Sequence, residues 1–313
     1  MMSNHITFVM YHYIRELFET KFPRIKALNT SEFIHQIDFL SKNYQFLTLE
    51  DVRCAIKGDK CFEKGVVLTF DDGYGDHYNN VFPILNKLGI QGWFFPPVNA
   101  VTTDAILDVN KIHFILASIP EGEDLINLLL DTTSHLCNDE ELKSKLLKFW
   151  KNFNFYDAYD RKEVTFFKHV LQNYLDEDLR NEIVDYLFAR FVDEDTTAFS
   201  LDLYMNIDQL IEMKDSGMII GGHGAKHIWL GKGSKNEQIN EITKTRKFLE
   251  KINDDEEFVM CYPYGSYNDF TLLECNKQGF DLGLTTIDGV FDPAIGSPLT
   301  IERKDTNCFR KAK

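Results

Sequence analysis

Short apolar runs alternate with helical periodicities along most of the chain. Amphipathic helical spacing is found at residues 30–43, 76–88, 206–216, 237–252 and 267–278. Strand-like apolar runs lie between and beside these helices, at residues 6–10, 65–68, 92–95, 218–222, 258–262, 282–285 and 299–302. Strands that alternate with helices in this way predict parallel strand pairs. We therefore expect an α/β fold. Because the chain has no internal repeat, low-complexity tract or long linker, one barrel fits better than two separate domains.

One long stretch interrupts this alternation. Helical patterns follow each other without a strand-like run at residues 106–118, 125–130, 141–150, 161–175 and 179–191. They predict an all-helical insertion at 101–202 within a barrel made of 1–100 and 203–313. The insertion leaves after a strand and returns before a helix, and such connections crowd the catalytic face of a parallel barrel. We expect a lid or specificity cap; the alternatives are an added structural layer or an oligomerisation element that makes a homo-oligomer.

Composition and charge narrow the classes of partner. The 313 residues are 44% hydrophobic and 27% charged, as in ordinary globular proteins, and the net charge is -15. This charge opposes nonspecific binding to nucleic acid or to an anionic membrane, so we expect neither a nucleic-acid partner nor membrane insertion. Local basic residues leave an anionic sugar nucleotide open as a ligand.

Two further features bear on the cellular compartment. The six cysteines are scattered without a regular disulfide spacing, so free thiols are expected. The first residues lack a basic region, and the apolar run at 6–10 is too short for a signal peptide or a membrane helix. We expect a cytoplasmic protein.

The first motif with chemical content is T-F-D-D-G at residues 69–73. It follows the apolar run at 65–68, so Asp71 and Asp72 stand where a buried strand ends. Paired carboxylates at this place suit a catalytic or metal site. The alternative is a turn, or the cap of the helix that begins near Asp76.

The second motif is His223-Gly-Ala-Lys-His227, directly after the strand-like run at 218–222. Two imidazoles at i and i+4 reach one point when the chain turns helically, which is the spacing that a metal ion requires. A single histidine would more often be structural. Together with the paired carboxylates of the first motif, the histidines predict a metal site.

His12 is a further candidate. It lies between two tyrosines at the end of the strand-like run at 6–10, and the carboxyl ends of barrel strands form the catalytic face. Its alternative role is a structural hydrogen bond between the tyrosines.

The two motifs together resemble those of the polysaccharide deacetylase family, the nodulation-type chitooligosaccharide deacetylases of carbohydrate esterase family four. A third motif of that family, R-x-P-Y, has an altered counterpart in C-Y-P-Y-G at residues 261–265. The similarity covers roughly residues 5–100 and 203–305. It implies a distorted (β/α)7-type barrel and a metal-dependent hydrolase of non-peptide carbon–nitrogen bonds.

The resemblance also implies roles for single residues. Asp72, His223 and His227 would hold a divalent ion, and Asp71 would be the general base. Zinc is the expected ion, although manganese, cobalt, nickel or iron fit the same ligands. The backbone N–H of Tyr264 would stabilise the oxyanion.

The sequence departs from the family pattern at two places. Cys261 stands where the family has the arginine that steadies the base; Arg303 is the candidate substitute, and its alternative partner is Asp305. The family's late histidine, its general acid, is also missing, because no histidine follows His227. His12 is the candidate replacement, with Asp288, Asp305 or a metal-bound water as alternatives.

These features predict removal of an acetyl or formyl group from an amino sugar or sugar nucleotide, as a cytoplasmic precursor of a surface polysaccharide. One alternative is hydrolysis of another non-peptide carbon–nitrogen bond in a small amide. The other is a non-catalytic carbohydrate-binding protein, which the missing arginine and late histidine favour.

Overall fold

The computed structural model describes residues 5–137, 139–155, 160–253 and 258–309. The chain forms two compact units. The first contains residues 1–16, 26–105 and 196–313, and the second contains residues 17–25 and 106–195. All the motifs of the candidate site belong to the first unit.

The first unit is built on a parallel sheet. Its strands are β1 (Ile6–Tyr11), β2 (Gln45–Phe46), β3 (Gly65–Asp71), β4 (Gly92–Phe95), β5 (Ile219–Ile220), β6 (Val259–Cys261), β7 (Leu282–Asp288) and β8 (Ile301–Asp305). Seven of them follow the order β5-β4-β3-β1-β8-β7-β6, and β2 pairs with β3 beside this path.

The two ends of this path meet just beyond β5. The N–H of Gly222 donates to the carbonyl of Val259 at 2.9 Å, and the N–H of Cys261 donates to the carbonyl of Gly222 at 2.8 Å. These bonds join β5 to β6 and nearly close a parallel barrel of seven strands. The predicted α/β barrel is confirmed.

Helices alternate with the strands of the first unit, and a run of helices without strands separates β4 from β5. They are α1 (Thr30–Asn43), α2 (Leu49–Lys57), α3 (Phe82–Leu88), α4 (Val98–Thr102), α5 (Asp108–Ser118), α6 (Leu125–Cys137), α7 (Glu140–Asn152), α8 (Lys162–His169), α9 (Glu177–Phe191), α10 (Thr196–Leu203), α11 (Ile207–Asp215), α12 (Lys235–Leu249) and α13 (Asp269–Lys277). A π-helical turn, His77–Val81, leads into α3, and another, Val170–Tyr174, follows α8.

The period-two alternation of β3 decides which of its side chains face the barrel interior. Leu68 and Phe70 pack in one apolar cluster with Phe33 of α1. Val67 lies in a different cluster, made largely of residues from the other strands. Asp71 is four residues after Val67 and therefore points to the same side, into the mouth of the barrel.

The second unit contains α5–α9 and the short segment Leu17–Ile25. The segment is held by a ring contact of Phe22 with Phe114, at 5.0 Å between centroids, and by a hydrogen bond from Arg24 to the carbonyl of Ile119 at 2.5 Å. The sequence pattern did not associate this segment with the helices. The insertion boundaries at 101–202 and the role as lid or oligomerisation element stay predictions.

The cysteines and the lengths of the helices bear on two further predictions. All six cysteines are free. Within the part of the chain that the structure describes, no helix has the length and apolar composition needed to span a bilayer.

Candidate metal centre

A left-handed turn at the end of β3 presents two carboxylates in succession. Asp71 is the last residue of β3, and the next two residues, Asp72 and Gly73, have φ of 73° and 70°. A side chain at Gly73 would contact Pro96, since a Cβ there would lie 2.7 Å from the proline Cβ. Asp71 and Asp72 are both buried, at 2% and 3% exposure. A buried carboxylate needs a partner, and each of the two has its own.

The two histidines lie on a loop after β5, and the expected helical turn between them is wrong. Gly224 and His227 have φ of 71° and 58°, in the left-handed region. The loop takes this shape because its carbonyls bond to another segment: the N–H groups of Val98 and Asn99, at the start of α4, donate to Gly224 and Ala225 at 3.0 and 2.9 Å. The histidines converge through this loop instead of a helix.

Glu241 of α12 holds the same loop from another side. Its Oε2 accepts the backbone N–H of Ala225 at 2.7 Å and that of Lys226 at 2.9 Å. The side chain is buried, so these two bonds take the place of water around its charge. No sequence motif pointed to Glu241, because its partners are backbone groups in a loop sixteen residues away.

The three predicted ligands form one compact cluster. Nε2 of His223 and Nε2 of His227 lie 3.4 and 3.3 Å from Oδ1 of Asp72. Burial raises the pKa of Asp72, but the hydrogen bonds with the two imidazoles outweigh it and hold that pKa well below its ordinary range. The carboxylate is therefore ionised, as a ligand must be.

The donor set fits a divalent ion. Nδ1 of His223 lies 2.7 Å from the carbonyl oxygen of Cys261, which can only accept, so Nδ1 carries a proton. The neutral form of this imidazole would therefore present the lone pair of Nε2 to an ion. The three ligand atoms lie within 4.8 Å of one another. One carboxylate and two imidazoles would leave coordination positions open, as catalytic ions require.

Tyr74 is a contact of the cluster that the sequence did not reveal. Its hydroxyl donates to Oδ2 of Asp72 at 2.5 Å, and its side chain is fully buried. Burial and the neighbouring carboxylate raise the pKa of Tyr74 well above its ordinary range, so the hydroxyl keeps its proton.

Asp71 is paired with Arg303 of β8. Nη1 and Nη2 of Arg303 donate to the two carboxylate oxygens, each at 2.8 Å, in the bidentate geometry of a strong ion pair. Burial raises the pKa of Asp71, but the guanidinium outweighs it and holds that pKa at about 2. Within the described residues, Arg303 forms no ion pair with Asp305, which instead accepts the N–H of Asn307.

Cys261 reaches the same carboxylate. Its sulfur lies 3.5 Å from Oδ1 of Asp71, and burial raises the pKa of the thiol, so it stays protonated. The position at which the family pattern has arginine therefore faces Asp71, but the cation comes from β8.

His12 stands on the other side of Asp71. Its Nε2 lies 4.0 Å from Oδ2 of Asp71, and its side chain is 41% exposed. Nε2 of His77 donates to the backbone carbonyl of His12 at 2.9 Å. This bond holds the backbone of His12 directly after the end of β1. Of the alternative general acids, Asp288 binds Lys304 at 2.9 Å.

Tyr264 borders the loop that runs from His223 to His227, which we call the histidine loop. Its ring centroid lies 4.6 Å from that of His227, and its ring is stacked on Trp229 at 4.5 Å. Its φ of 57° is left-handed, so the peptide turns sharply beside the cluster. The predicted site residues thus all lie around the ends of the barrel strands.

Sequence comparison connects this geometry to known proteins. A profile of the polysaccharide deacetylase family matches residues 59–112 and 154–283, which is more than half of the chain. The Bacillus subtilis protein YxkH, named as a member of that family, is 21% identical over 283 residues, which cover 90% of this chain and 64% of YxkH. The poly-beta-1,6-N-acetyl-D-glucosamine N-deacetylase of Escherichia coli K12 is 38% identical over 104 residues, which cover 33% of this chain and 15% of that protein. The chain thus spans less than two thirds of both curated relatives.

Solved structures show the same fold. The Streptococcus pyogenes deacetylase PplD in complex with acetate aligns with a TM-score of 0.60 at 19% identity, covering 97% of this chain and 92% of PplD. IcaB from Ammonifex degensii aligns with a TM-score of 0.57 at 16% identity, covering 96% and 91%.

Proposed function

Since the chain belongs to the polysaccharide deacetylase family, whose members are hydrolases of non-peptide carbon–nitrogen bonds, we propose that it removes an N-acyl group from an amino sugar with a divalent ion. One observation carries the proposal: the buried cluster of Asp72, His223 and His227 adjoins an ionised carboxylate, Asp71, that is not part of that ligand set. A metal hydrolase needs both a ligand set and a separate base.

The ligands in this proposal are Oδ1 of Asp72 and Nε2 of His223 and His227. We expect zinc, and manganese, cobalt, nickel or iron suit the same donors. When bound, the ion would supply Lewis acidity, which lowers the pKa of a water molecule and polarises an acyl carbonyl.

Asp71 is the proposed general base. It is ionised at neutral pH, and Arg303 holds both of its oxygens in one orientation through two parallel hydrogen bonds. The lone pairs that remain on these oxygens can accept a proton from the attacking water. Arg303 acts through Asp71 and is thus a positioning residue.

His12 is the proposed general acid. It is a partly exposed imidazole, and the distance of 4.0 Å between its Nε2 and the carboxylate of the proposed base supports this role. Protonation of the leaving amine needs such a group. The backbone N–H of Tyr264 is the proposed donor to the developing oxyanion; such a donor typically contributes about 3 kcal/mol.

For the substrate we propose an N-acetylated or N-formylated amino sugar or sugar nucleotide, met in the cytoplasm as a precursor of a surface polysaccharide. The match to an enzyme named for N-acetyl-D-glucosamine units supports the amino sugar. We further propose that the helical insertion serves as a lid or as an oligomerisation element.

Elemental analysis beside an amine-release assay tests this function. The panel contains N-acylated sugars, sugar nucleotides and short β-1,6-linked N-acetylglucosamine oligomers. We expect about one divalent ion per chain and amine release that Asp71→Asn abolishes while the ion stays bound. The double variant with His223→Ala and His227→Ala should lose both the bound ion and amine release. Amine release by this double variant at the native rate would contradict the proposal. Turnover of small amides without any amino sugar would favour the alternative substrate.

A further inference from the structure

The two oxygens of Asp72 have different partners. Oδ1 faces both imidazoles, with Nε2 of His223 at 3.4 Å and Nε2 of His227 at 3.3 Å. Oδ2 instead accepts the hydroxyl of Tyr74 at 2.5 Å. A carboxylate can bind a cation through one oxygen or through both. The Tyr74 hydroxyl therefore occupies the oxygen that Asp72 would need in order to bind a cation through both oxygens.

We infer that Tyr74 is a positioning residue that keeps Asp72 a one-oxygen ligand and reserves Oδ1 for the ion. The inference rests on the proposed function, because it assumes that the cluster binds a divalent ion. Its consequence is chemical: a second oxygen from Asp72 would occupy a coordination position that a catalytic ion needs for water or substrate. Neither the motif pattern nor the family resemblance assigned Tyr74 a role.

The local backbone brings the carboxylate and the tyrosine to the same place. Asp72 and Gly73 both lie in the left-handed region, so the chain reverses between the carboxylate and the tyrosine two residues on. The carbonyl of Gly73 accepts the N–H of Met205 at 2.9 Å, which ties the turn to the segment after α10.

The ring of Tyr74 is held from two sides. Tyr13, from the segment after β1, stacks on it at 3.9 Å between centroids, and Tyr204 is nearly parallel to it at 6.4 Å. With its ring fixed, the hydroxyl is preorganised toward Oδ2 and does not have to be ordered when an ion binds.

A purely structural role would give a different result on substitution. If the hydroxyl only satisfied a buried carboxylate, its removal would lower the stability of the metal-free protein and leave the coordination mode unchanged. If it reserves Oδ1, its removal frees Oδ2 to approach the ion, so that both the affinity and the coordination number change.

Tyr74→Phe separates the two roles, because it removes the hydroxyl and keeps the ring. Tyr78→Phe is the control: the Tyr78 hydroxyl also donates to a carboxylate, Glu212, at 2.6 Å, but Glu212 is exposed and is not a member of the cluster. Metal-free wild type and both variants are titrated with cobalt(II), and the dissociation constant and visible absorption spectrum are recorded.

We expect Tyr74→Phe to bind cobalt about 10–100-fold more weakly, as is typical for loss of an outer-shell partner. Its visible absorption should also weaken per ion, as expected for a higher coordination number. Tyr78→Phe should match the wild type in both measurements. An unchanged spectrum in Tyr74→Phe would overturn the inference, whatever the change in the dissociation constant. Absence of cobalt binding by the wild type would overturn the proposed function itself, and this inference with it.

A second measurement does not depend on the variant being folded. In a crystal structure of the cobalt-loaded wild type, we expect one oxygen of Asp72 on the ion and the other on the Tyr74 hydroxyl. Both oxygens on the ion would overturn the inference.

Discussion

The pairing of Asp71 with Arg303 shows how one buried charge is maintained by a residue distant in the sequence. Both side chains are almost fully buried, at 2% and 1% exposure. Arg303 also donates from Nε to the carbonyl of Thr285 at 2.7 Å and from Nη1 to the Thr69 hydroxyl at 3.1 Å. With these bonds the guanidinium has little freedom to move, and the carboxylate shares its fixed orientation.

Replacement of Arg303 should therefore affect stability and activity together. In Arg303→Met, Asp71 loses its counter-charge, and the free energy of unfolding should fall by about 3–5 kcal/mol. The pKa of Asp71 should rise, which moves the acid limb of the kcat/KM profile to higher pH. Arg303→Lys keeps the charge without the bidentate geometry. Its free energy of unfolding and its Asp71 pKa should therefore lie between those of the wild type and of Arg303→Met.

Urea unfolding and pH–rate profiles test this prediction. Arg53→Met is the control, because Arg53 forms an exposed ion pair with Asp281 at 2.7 Å, and loss of such a pair typically costs at most about 1 kcal/mol. An equal decrease in the free energy of unfolding in Arg303→Met and Arg53→Met would show that the buried ion pair stabilises the fold no more than the exposed one does.

His77 gives the stability of the protein a predictable pH dependence. Burial lowers the pKa of His77 to about 4 in the folded protein, from an ordinary value of 6.5. Because the unfolded chain binds the proton more tightly, stability is fully present above pH 6.5 and is lost as the pH falls toward 4. Through this group alone, the free energy of unfolding should fall by about 2 kcal/mol between pH 7 and pH 5.

Comparison with His77→Gln isolates this contribution. Glutamine retains an N–H donor for the carbonyl of His12 but does not titrate. Urea unfolding of the metal-free proteins at pH 7 and pH 5 should show a pH-dependent loss that is smaller in the variant by about 2 kcal/mol. The same loss in both proteins would mean that other groups set the acid sensitivity.

Left-handed backbone is concentrated at the candidate site. Among the described residues, four that are not glycine have positive φ, and three of these are Asp72, His227 and Tyr264. Such conformations are costly for residues with a Cβ and persist only when the surroundings impose them. At this site, the surroundings are the strand ends and the two helices that bond the histidine loop.

At the scale of elements, the histidine loop is held by α4 and α12. The first helix donates to the loop carbonyls, and Glu241 of the second accepts from its amides. The loop thus has fixed partners for peptide groups that it cannot satisfy by itself. Glu241 holds the histidine loop in the way that Arg303 holds the Asp71 carboxylate, because each forms two hydrogen bonds to the group that it positions.

Glu241→Ala should weaken both the fold and the metal site. It removes the acceptor of the buried N–H of Ala225, which typically costs about 1–3 kcal/mol, and also the hydrogen bond from the N–H of Lys226. The dissociation constant for cobalt(II) should rise about tenfold or more, because the histidines lose their fixed positions. Glu241→Gln keeps one acceptor and should show a smaller effect.

Thermal unfolding and metal titration measure these two effects. Glu250→Ala is the control on the same helix, since Glu250 is an exposed residue at its C-terminal end. A Glu241→Ala protein with native metal affinity would show that the loop keeps its shape without α12.

For the whole molecule, the barrel brings together groups that are far apart in the chain. Asp72 and His227 are 155 residues apart, yet their ligand atoms lie 3.3 Å from each other. An ion that binds this cluster binds the folded protein only, so it stabilises the fold by mass action.

Stability should therefore depend on metal concentration. At a free metal concentration of one hundred times the dissociation constant, the expected gain is about 2.7 kcal/mol. Calorimetry with and without zinc should show a higher Tm for the wild type and no shift for His223→Ala together with His227→Ala. His35→Ala, which changes an exposed histidine of α1, should respond as the wild type does. An equal shift in the double variant would locate metal binding elsewhere.

Some features followed from the sequence alone because they depend on local patterns. The strand at Gly92–Phe95 and the helix at Thr30–Asn43 agree with their predicted bounds, since a continuous apolar run and a 3.6-residue period are local signals. The parallel α/β class followed from the regular alternation of the two. Short elements with weak signals, such as β2 and α4, were missed.

Only the tertiary structure decided the partners of each site residue. Asp71 could have been paired from β6, where the family pattern has arginine, but closure of the barrel presents the guanidinium from β8 instead. Tyr74 and Glu241 carried no signal, because one is a single residue after a turn and the other bonds to backbone groups in a distant loop. Sequence patterns record which residues share an element, whereas long-range packing determines which atoms meet. The types of side chain at this site were therefore readable in the sequence, and their hydrogen-bond partners were not.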